Sequence, residues 1–535
     1  MTCPVGKGRY MTRSINVPSA NSALRVTESS ADRFLEHRSV HAHVHRKVKR
    51  TLRVMKFGGT SVAGASCIEG VVKLIKAASG ESDVVVVVSA MSGVTNKLIE
   101  AASGSEAGNR TLVEAILDTL REQHVALLSG LIRSLDERSR IERQMHELFR
   151  ECDELLRGAM LLRELTPRAR DSILSLGERL CAPVVAAVLA QEGIASEAIE
   201  ATELVVTDSY HGAAEPQMDL TRKSCQARLR PLLQRGVAPV VTGFIGVTVE
   251  GARTTLGRGG SDYSATILAA ALDADEVIIW KDVDGLHTAD PRLVPGACTI
   301  PEISYREAAE LAYFGAKVLH PKTLNAIMKC GIPLWIRNTF APERPGTKIT
   351  SSGPENVAGS VTALTAISDV ALITVRGPAT AGVSGFLDGA FADRWRADFL
   401  LISHSSSPND TSLVVSASLA NRTIEALRGE FAHDLAQEKV EHILLDSTVA
   451  IVSVVGRNMR SPSSVVGRTL TALSRENINI TSIAQGSSPF SLSFLVTKTD
   501  MQAALATIHR EFQLSGAEFA SAFRDRPDET PVSAV

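Results

Sequence analysis

The sequence predicts an α/β protein on a parallel sheet covered on both faces, followed by two small α+β units. Three observations predict it. Residues 83–93, DVVVVVSAMSG, hold a continuous β-branched run without polar alternation, as in a strand buried on both sides. From residue 52 to residue 338 strand and helix signals alternate, the order that builds a parallel sheet with crossover helices. Residues 360–441 and 446–523 then repeat one βαββα order, the mark of a duplicated small unit, expected as a side-by-side pair sharing one sheet.

Bulk properties narrow the function classes. A chain of 535 residues holds about three domains at roughly 150 residues each. A formal net charge of −2 with 22% charged residues excludes a basic nucleic-acid surface and a disordered acidic chain. Aromatic residues at 4% disfavour base stacking. The seven cysteines include no CxxC pair, which points to a reducing, cytoplasmic setting rather than a disulfide framework or structural zinc. No apolar run approaches the ~18 residues of a membrane span, and residues 84–88 have a strand's length. No nucleic-acid partner, no membrane and no protein-borne metal site are expected.

Residues 1–50 stand apart, with ten Lys/Arg against Glu28, Asp32 and Glu36. They end in His41, His43 and His45 and a basic cluster. A targeting or nucleic-acid-binding arm, a metal-binding histidine run, a solvated tail and an early start codon (Met55 directly precedes Lys56) are the alternatives. The lack of apolar periodicity favours a disordered extension.

The first element is VMKFGGTSVA, residues 54–63, a strand running through Lys56 into Gly58-Gly59 and Thr60-Ser61 before a helix expected over residues 66–78. Glycines admit backbone N–H groups to an anion, the helix dipole favours negative charge, and Lys56 adds a full positive charge. The lysine precedes the glycines, so this is not a GxxxxGK[ST] loop. Ser89 and Thr95 follow the second strand, at the carboxyl end where open α/β sheets bind ligands. Residues 111–163 read as a long helical stretch with a leucine core (Leu117, Leu120, Leu127, Leu128, Leu131, Leu135, Leu148, Leu155) and a solvated Glu/Arg face.

SLGERLCA, residues 175–182, reads as a glycine-interrupted helix start in which Glu178 and Arg179 suit a surface ion pair. A strand over residues 238–245 ends in GFIG, which contains Phe244. TTLGRGGSDYSA, residues 254–265, then flanks Gly259-Gly260 with Arg258 and Asp262 just before an apolar helix. An arginine there can grip a carboxylate through two parallel hydrogen bonds, while Asp262 is either functional or an N-cap. KDVDGLHTADPR, residues 281–292, is another loop after a strand, and ELAYFGAKVLHP, residues 310–321, carries Lys317. A Pro/Gly/Ser-rich stretch, residues 341–359, reads as a linker.

Taken together, KFGGTSVA, SAMSGVTN, SLGERL, GFIG, TTLGRGGSDYSA, DVDGLHTADPR, FGAKVLHP, PGT and ENINI with QGSS occur in one order, and the chain resembles the aspartokinase family. That family belongs to the amino-acid kinase superfamily and carries C-terminal tandem ACT domains. The resemblance covers about residues 54–523. It implies a three-layer α/β/α sandwich over residues 52–340 and two ferredoxin-like βαββαβ ACT domains, with a tail at 524–535. It also implies transfer of the γ-phosphoryl group of ATP, with Mg²⁺, to the β-carboxylate of L-aspartate. A carboxylate nucleophile is ionised at neutral pH, so such a site needs positive charge around the phosphoryl oxygens rather than a general base.

By the same resemblance, Lys56 and Lys317 hold the phosphates and Asp262 orients the lysines, these three being the catalytic set. Gly58, Gly59, Thr60, Ser61, Gly259 and Gly260 line the phosphate path. Arg258 takes the α-carboxylate of aspartate and Glu178 its ammonium, with Ser89, Thr95, Phe244 and Ser261 completing the pocket. Lys281, Asp282, His287 and Arg292 fall on the nucleotide side, although many relatives have threonine at 281 and tyrosine at 287. Threonine or lysine is implied as effector, near Asn477, Ile478, Asn479, Ile480, Gln485 and Ser487. Pro489 stands where glutamate is common, and the first ACT unit diverges. A single-activity homo-oligomer, dimer or tetramer, assembled through the ACT units is implied. Another kinase of this fold and a catalytically inactive amino-acid sensor are the rival readings. Intact Lys56, Arg258, Asp262 and Lys317 count against the sensor.

Overall fold

A computed structural model describes residues 50–315, 318–354, 361–377, 401–404, 410–457, 459, 465–484, 490–516 and 519. The basic extension up to residue 49, Lys317 and the tail lie outside them. The first strands are β1 (Thr51–Phe57), β2 (Ser82–Val88), β3 (Ser196–Ile199), β4 (Val206–Thr207), β5 (Ala238–Thr242) and β6 (Ile245–Thr248). They continue with β7 (Arg253–Thr255), β8 (Glu276–Lys281), β9 (Glu302–Ser304), β10 (Leu334–Asn338) and β11 (Thr347–Thr350). The helices are α1 (Ala65–Glu81), α2 (Val94–Glu106), α3 (Arg110–Leu131), α4 (Leu135–Leu162) and α5 (Pro167–Leu174). After them come α6 (Leu176–Gln191), α7 (Met218–Gln234), α8 (Gly260–Leu272), α9 (Tyr305–Tyr313) and α10 (Pro321–Met328).

Eight strands form one sheet in the order β3-β5-β2-β1-β8-β10-β11-β9. It is parallel apart from the antiparallel β10–β11 pair. The valine run shows why both faces are covered. Val84, Val86 and Val88 enter one core with α1–α4 and α6, while Val85 and Val87 enter the other with α7–α10. Period-two alternation with no polar position leaves no face for water. A three-stranded sheet, β4-β6-β7, flanks this layer.

Several expectations change here. The helical stretch is two helices broken at residues 132–134, where the Ser134 side chain caps α4 by accepting from the Glu137 N–H. Leu135 is 72% exposed because it sits in the first turn, ahead of the apolar stripe; Leu155 packs on the core and the other six leucines are buried. The strand expected to reach residue 245 stops at Thr242 and restarts as β6. The apolar stretch Pro167–Gln191 is long enough to cross a membrane by length and composition, contrary to expectation, yet 89% of its apolar window is buried in the core. The supposed linker contains β11, fixed by the Thr347 hydroxyl, which donates to the Ile300 carbonyl (2.7 Å) and accepts from the Leu286 N–H (2.8 Å).

The C-terminal part contains β12 (Val361–Ile367), β13 (Val370–Arg376), β14 (Leu401–His404), β15 (Asp410–Ser416), α11 (Ala417–Glu430) and α12 (Ala432–Ala436). It continues with β16 (His442–Asp446), β17 (Val449–Gly456), α13 (Val465–Arg475), β18 (Ser482–Ala484), β19 (Ser491–Thr497) and α14 (Met501–Glu511). The expected shared sheet is not formed. Two antiparallel sheets are present instead, β14-β15-β13-β16 and β12-β17-β19-β18. Each closes with four strands and packs on its own helices. They meet through their other faces, where Val370 and Val414 touch Val449, Ile451 and Leu495. Val452 and Val454, at the alternate positions of β17, face the helices. β12 precedes the first sheet in the chain yet belongs to the second. The helix expected near residues 391–395 lies outside the described residues.

Candidate active site

The site forms at the carboxyl ends of β1, β2, β5 and β8. β1 carries Lys56, whose neighbours in the register are Val87 and Ile279. The chain then turns through Gly58, whose N–H donates to the Trp280 carbonyl at 3.2 Å, and Gly59. A Cβ on Gly59 would sit 2.9 Å from the Ala90 carbonyl oxygen, so only glycine fits where these two loops touch. Helix α8 begins at Gly260, its N-cap is Gly259 at a φ of +70°, and no side-chain cap is present. Asp262 is therefore not the N-cap. It lies inside the first turn and points at lysines.

Asp262 Oδ1 lies 2.5 Å from Lys56 Nζ and its Oδ2 lies 2.8 Å from Lys281 Nζ. Lys56 and Asp262 are 5% and 4% exposed, so this is a buried ion triad with one surplus positive charge. Burial alone would raise the Asp262 carboxyl, but the two ammoniums overcome it and hold it at about 2. Lys56 is shifted below the ordinary lysine value by burial, with Lys281 adding to the shift and Asp262 opposing it. A buried charge is tolerable only when paired like this.

Glu178 occupies the first turn of α6. Gly177 beside it lets the helix come so close to the residue 90 loop that a Cβ would meet the Ala90 Cβ at 2.5 Å. Glu178 is 3% exposed, Oε1 accepts from the Ser261 hydroxyl at 3.5 Å, and Oε2 is buried with no partner among the described residues. Burial pushes its carboxyl up to about 7, against the pull of the Ala90 N–H and the Lys56 charge. The expected Glu178–Arg179 surface pair does not exist. Consecutive helix residues point about 100° apart, and Arg179 turns instead to Glu151 (2.9 Å) and Glu200 (3.1 Å).

A cleft of about 800 Å³ joins these groups. Among the residues singled out in the sequence, Lys56, Gly59, Ser89, Thr95, Glu178, Phe244, Arg258, Gly259, Gly260, Ser261 and Asp262 line it. Phe244 does so with a strained φ of +69°, its N–H held by the Ser264 hydroxyl at 2.8 Å. Other expected residues stand apart. Gly58, Thr60 and Lys281 are not in the lining, and Lys281 reaches the site through Asp262. The Ser61 hydroxyl is buried against that of Thr339 at 2.7 Å, a structural pair rather than an open phosphate donor. Asp282 is exposed beside β8, His287 bridges to Thr299, and Arg292 is exposed and paired with Asp290 at 2.6 Å. Asn477 and Asn479 are exposed, Ile480 packs partly on the core of the second small unit, and Ile478 is buried in it. Gln485, Ser487 and Lys317 lie outside the described residues.

The sequence reading missed one constellation. Asp171, 1% exposed on α5, accepts from His211 Nδ1 (2.9 Å), the Gly212 N–H (3.0 Å), the Thr255 N–H (3.1 Å) and the Thr255 hydroxyl (2.6 Å). Asp171, His211, Gly212, Thr255 and Arg170 all line the cleft. A carboxylate four residues after a helix-opening proline was the only hint.

The residues present do not form a protein cage for a divalent ion. No group of three His, Cys, Asp or Glu with metal-holding geometry occurs among the described residues, and both Asp262 oxygens face lysines.

Comparisons with known proteins identify the family. Residues 51–338 match the amino acid kinase family and residues 452–512 an ACT domain. The chain is 32% identical to Aspartokinase 3, chloroplastic, of Arabidopsis thaliana over 95% of this chain and 90% of that protein. It is also 32% identical to the Arabidopsis bifunctional aspartokinase/homoserine dehydrogenase 1, over 87% of this chain, and spans about half (52%) of that relative's length. Among solved structures, E. coli aspartokinase III with aspartate and ADP (R-state) superposes with a TM-score of 0.73 at 29% identity, covering 86% of this chain and all of that one. Its complex with lysine and aspartate (T-state) gives 0.71 at 30% identity, covering 86% and 99%. The chain belongs to the aspartokinases, ATP-dependent kinases of the amino acid kinase family with a C-terminal ACT domain.

Proposed function

We propose that the cleft binds L-aspartate and the terminal phosphates of ATP, and that the Lys56–Asp262–Lys281 triad supports phosphoryl transfer to the aspartate β-carboxylate. The observation that carries this reading is the pairing of Asp262 with two lysines at 2.5 and 2.8 Å. The triad holds two ammoniums around one carboxylate and presents net positive charge without moving during reaction, which is how preorganised charge stabilises phosphoryl oxygens. Arg258 takes the α-carboxylate. The unpartnered Glu178 Oε2 takes the ammonium, which holds the β-carboxylate toward Lys56. Gly59, Gly259 and Gly260 leave the path open for phosphates, and Lys317 belongs to the nucleotide side. Mg²⁺ enters on the ATP phosphates.

Regulation follows the ACT unit. Lysine or threonine binds it and biases a two-state equilibrium of the kinase. The stretch between β8 and β9, which carries Asp282, His287 and Arg292, is bonded to that unit. His509 Nε2 on α14 meets the buried Thr288 hydroxyl at 2.9 Å, and the Leu364 N–H donates to the Thr288 carbonyl at 2.7 Å. Assembly into a homo-oligomer uses sheet edges, supported by exposed Leu444 and Leu445 on edge strand β16 and Ile483 on edge strand β18. The six described cysteines are all free, in keeping with a reducing cytoplasmic compartment.

The test is aspartate-dependent ATP turnover in the wild type and in Lys56→Ala, with lysine and threonine titrated separately. Turnover falls by at least about 10²-fold in the variant. Near-normal turnover would remove Lys56 from the mechanism, and no response to either amino acid would remove the proposed effectors.

A further inference from the structure

We propose that Arg170 is a second carboxylate-binding arginine of the cleft, which captures the acidic amino acid and sets its affinity together with Arg258. This rests on the reading of the cleft as the aspartate site. Helix α5 opens on Thr166, whose hydroxyl accepts from the Ala169 N–H at 3.2 Å, with Pro167 in the first turn. Arg170 therefore sits on a capped, rigid turn and lines the cleft from its exposed side.

Asp171 fixes that turn relative to the other arginine. Its carboxylate binds the N–H and hydroxyl of Thr255 at the end of β7, three residues before Arg258. The Gly212 N–H, held by the same carboxylate, belongs to a loop whose carbonyl at Gly212 would meet a Cβ on Gly257 at 3.0 Å. One buried carboxylate thus ties the helix that carries Arg170 to the loop that carries Arg258.

Arg179 and Arg253, close by, are each saturated by Glu151 and Glu200. Neither Arg170 nor Arg258 has a carboxylate within ion-pair distance among the described residues. Of the cleft's carboxylates, Asp171 is committed to four donors and Asp262 to two lysines, which leaves Glu178 for the substrate ammonium rather than for an arginine. Arg258 holds the α-carboxylate and the β-carboxylate faces Lys56, so the second unpaired guanidinium, on the exposed side of the cleft, captures the incoming dianion and shares the α-carboxylate, and a guanidinium at a cleft mouth also raises the local concentration of an anion.

The experiment compares Arg170→Ala, Arg170→Lys and, as reference, Arg258→Ala in steady-state kinetics on the full chain. Arg170→Ala raises KM for aspartate by about tenfold, raises KM for ATP by less than about twofold, and flattens the salt dependence of kcat/KM for aspartate. Arg170→Lys restores part of the affinity. An unchanged KM for aspartate in Arg170→Ala, with a raised one in Arg258→Ala, overturns the proposal while the cleft stays the aspartate site. No change in either overturns both. Equal rises in KM for aspartate and ATP overturn it too, because a structural effect would touch both substrates.

Discussion

Replacing Glu178 with glutamine is expected to make the protein more stable and less able to bind aspartate. Burial raises the Glu178 carboxyl from 4.5 to about 7, which corresponds to about 3 kcal/mol of differential interaction. The sign follows from linkage. Below about pH 4.5 the group is protonated in both folded and unfolded states and contributes nothing. Between 4.5 and 7 the unfolded chain releases its proton while the folded one keeps it, so stability falls as pH rises. Above about 7 the loss is complete. Glutamine has nearly the same shape and no charge to desolvate. Urea unfolding at pH 8 therefore shows Glu178→Gln more stable than the wild type by up to about 3 kcal/mol, and the gap closes toward pH 4.5. In the wild type the aspartate KM rises as pH falls below about 7, because the ammonium then meets a neutral carboxyl; Glu178→Gln has a high, pH-flat KM. Equal unfolding midpoints at pH 8, or a wild-type KM that is flat across this range, would refute the assignment of Glu178 as a strained charge awaiting a cation.

Other outcomes are equally concrete. Asp171→Ala strands the Gly212 and Thr255 N–H groups and the Thr255 hydroxyl, and is expected to cost roughly 3 kcal/mol or more in denaturant unfolding; a loss under about 0.5 kcal/mol would contradict its bonding role. Gly59→Ala places a Cβ 2.9 Å from the Ala90 carbonyl and 3.5 Å from the Ser92 nitrogen. It should lower stability by about 1–3 kcal/mol through overpacking and lower turnover too, since Ala90 and Ser92 line the cleft; normal turnover would show that the loop yields freely.

Much of the fold was legible because its signals are local. The valine run specified a strand buried on both faces, and the order of the second small unit, with its helix over Val465–Arg475, is present in the structure. Lys56, Arg258 and Asp262 stood out because each adjoins glycines that no core requires. Residues whose meaning depends on distant partners stayed hidden. Ser61 resembles an open hydroxyl until Thr339, 278 residues away, is seen against it. Asp171 resembles a helix-surface acid until three segments converge on it. Glu178 and Arg179 misled because neighbours in sequence are not neighbours on a helix. The shared sheet failed for a topological reason, since β12 and β16 supply fourth strands that close each sheet separately.

That crossing of strands has a consequence for how the chain is made and how it can be cut. Ile367 at the end of β12 lies opposite Ile451 in β17, so everything between them is, topologically, one large loop with adjacent ends. During synthesis β12 is made before β17, its partner strand, and the two pair only once the residues between them have been made. The same closeness makes the intervening sheet a cassette. Its removal would leave two ends that a short turn can join, because bringing near neighbours together costs little chain entropy. The two small sheets are thus nested rather than strung in series, and losing the inner one would bare the Val449, Ile451 and Leu495 face of the outer one.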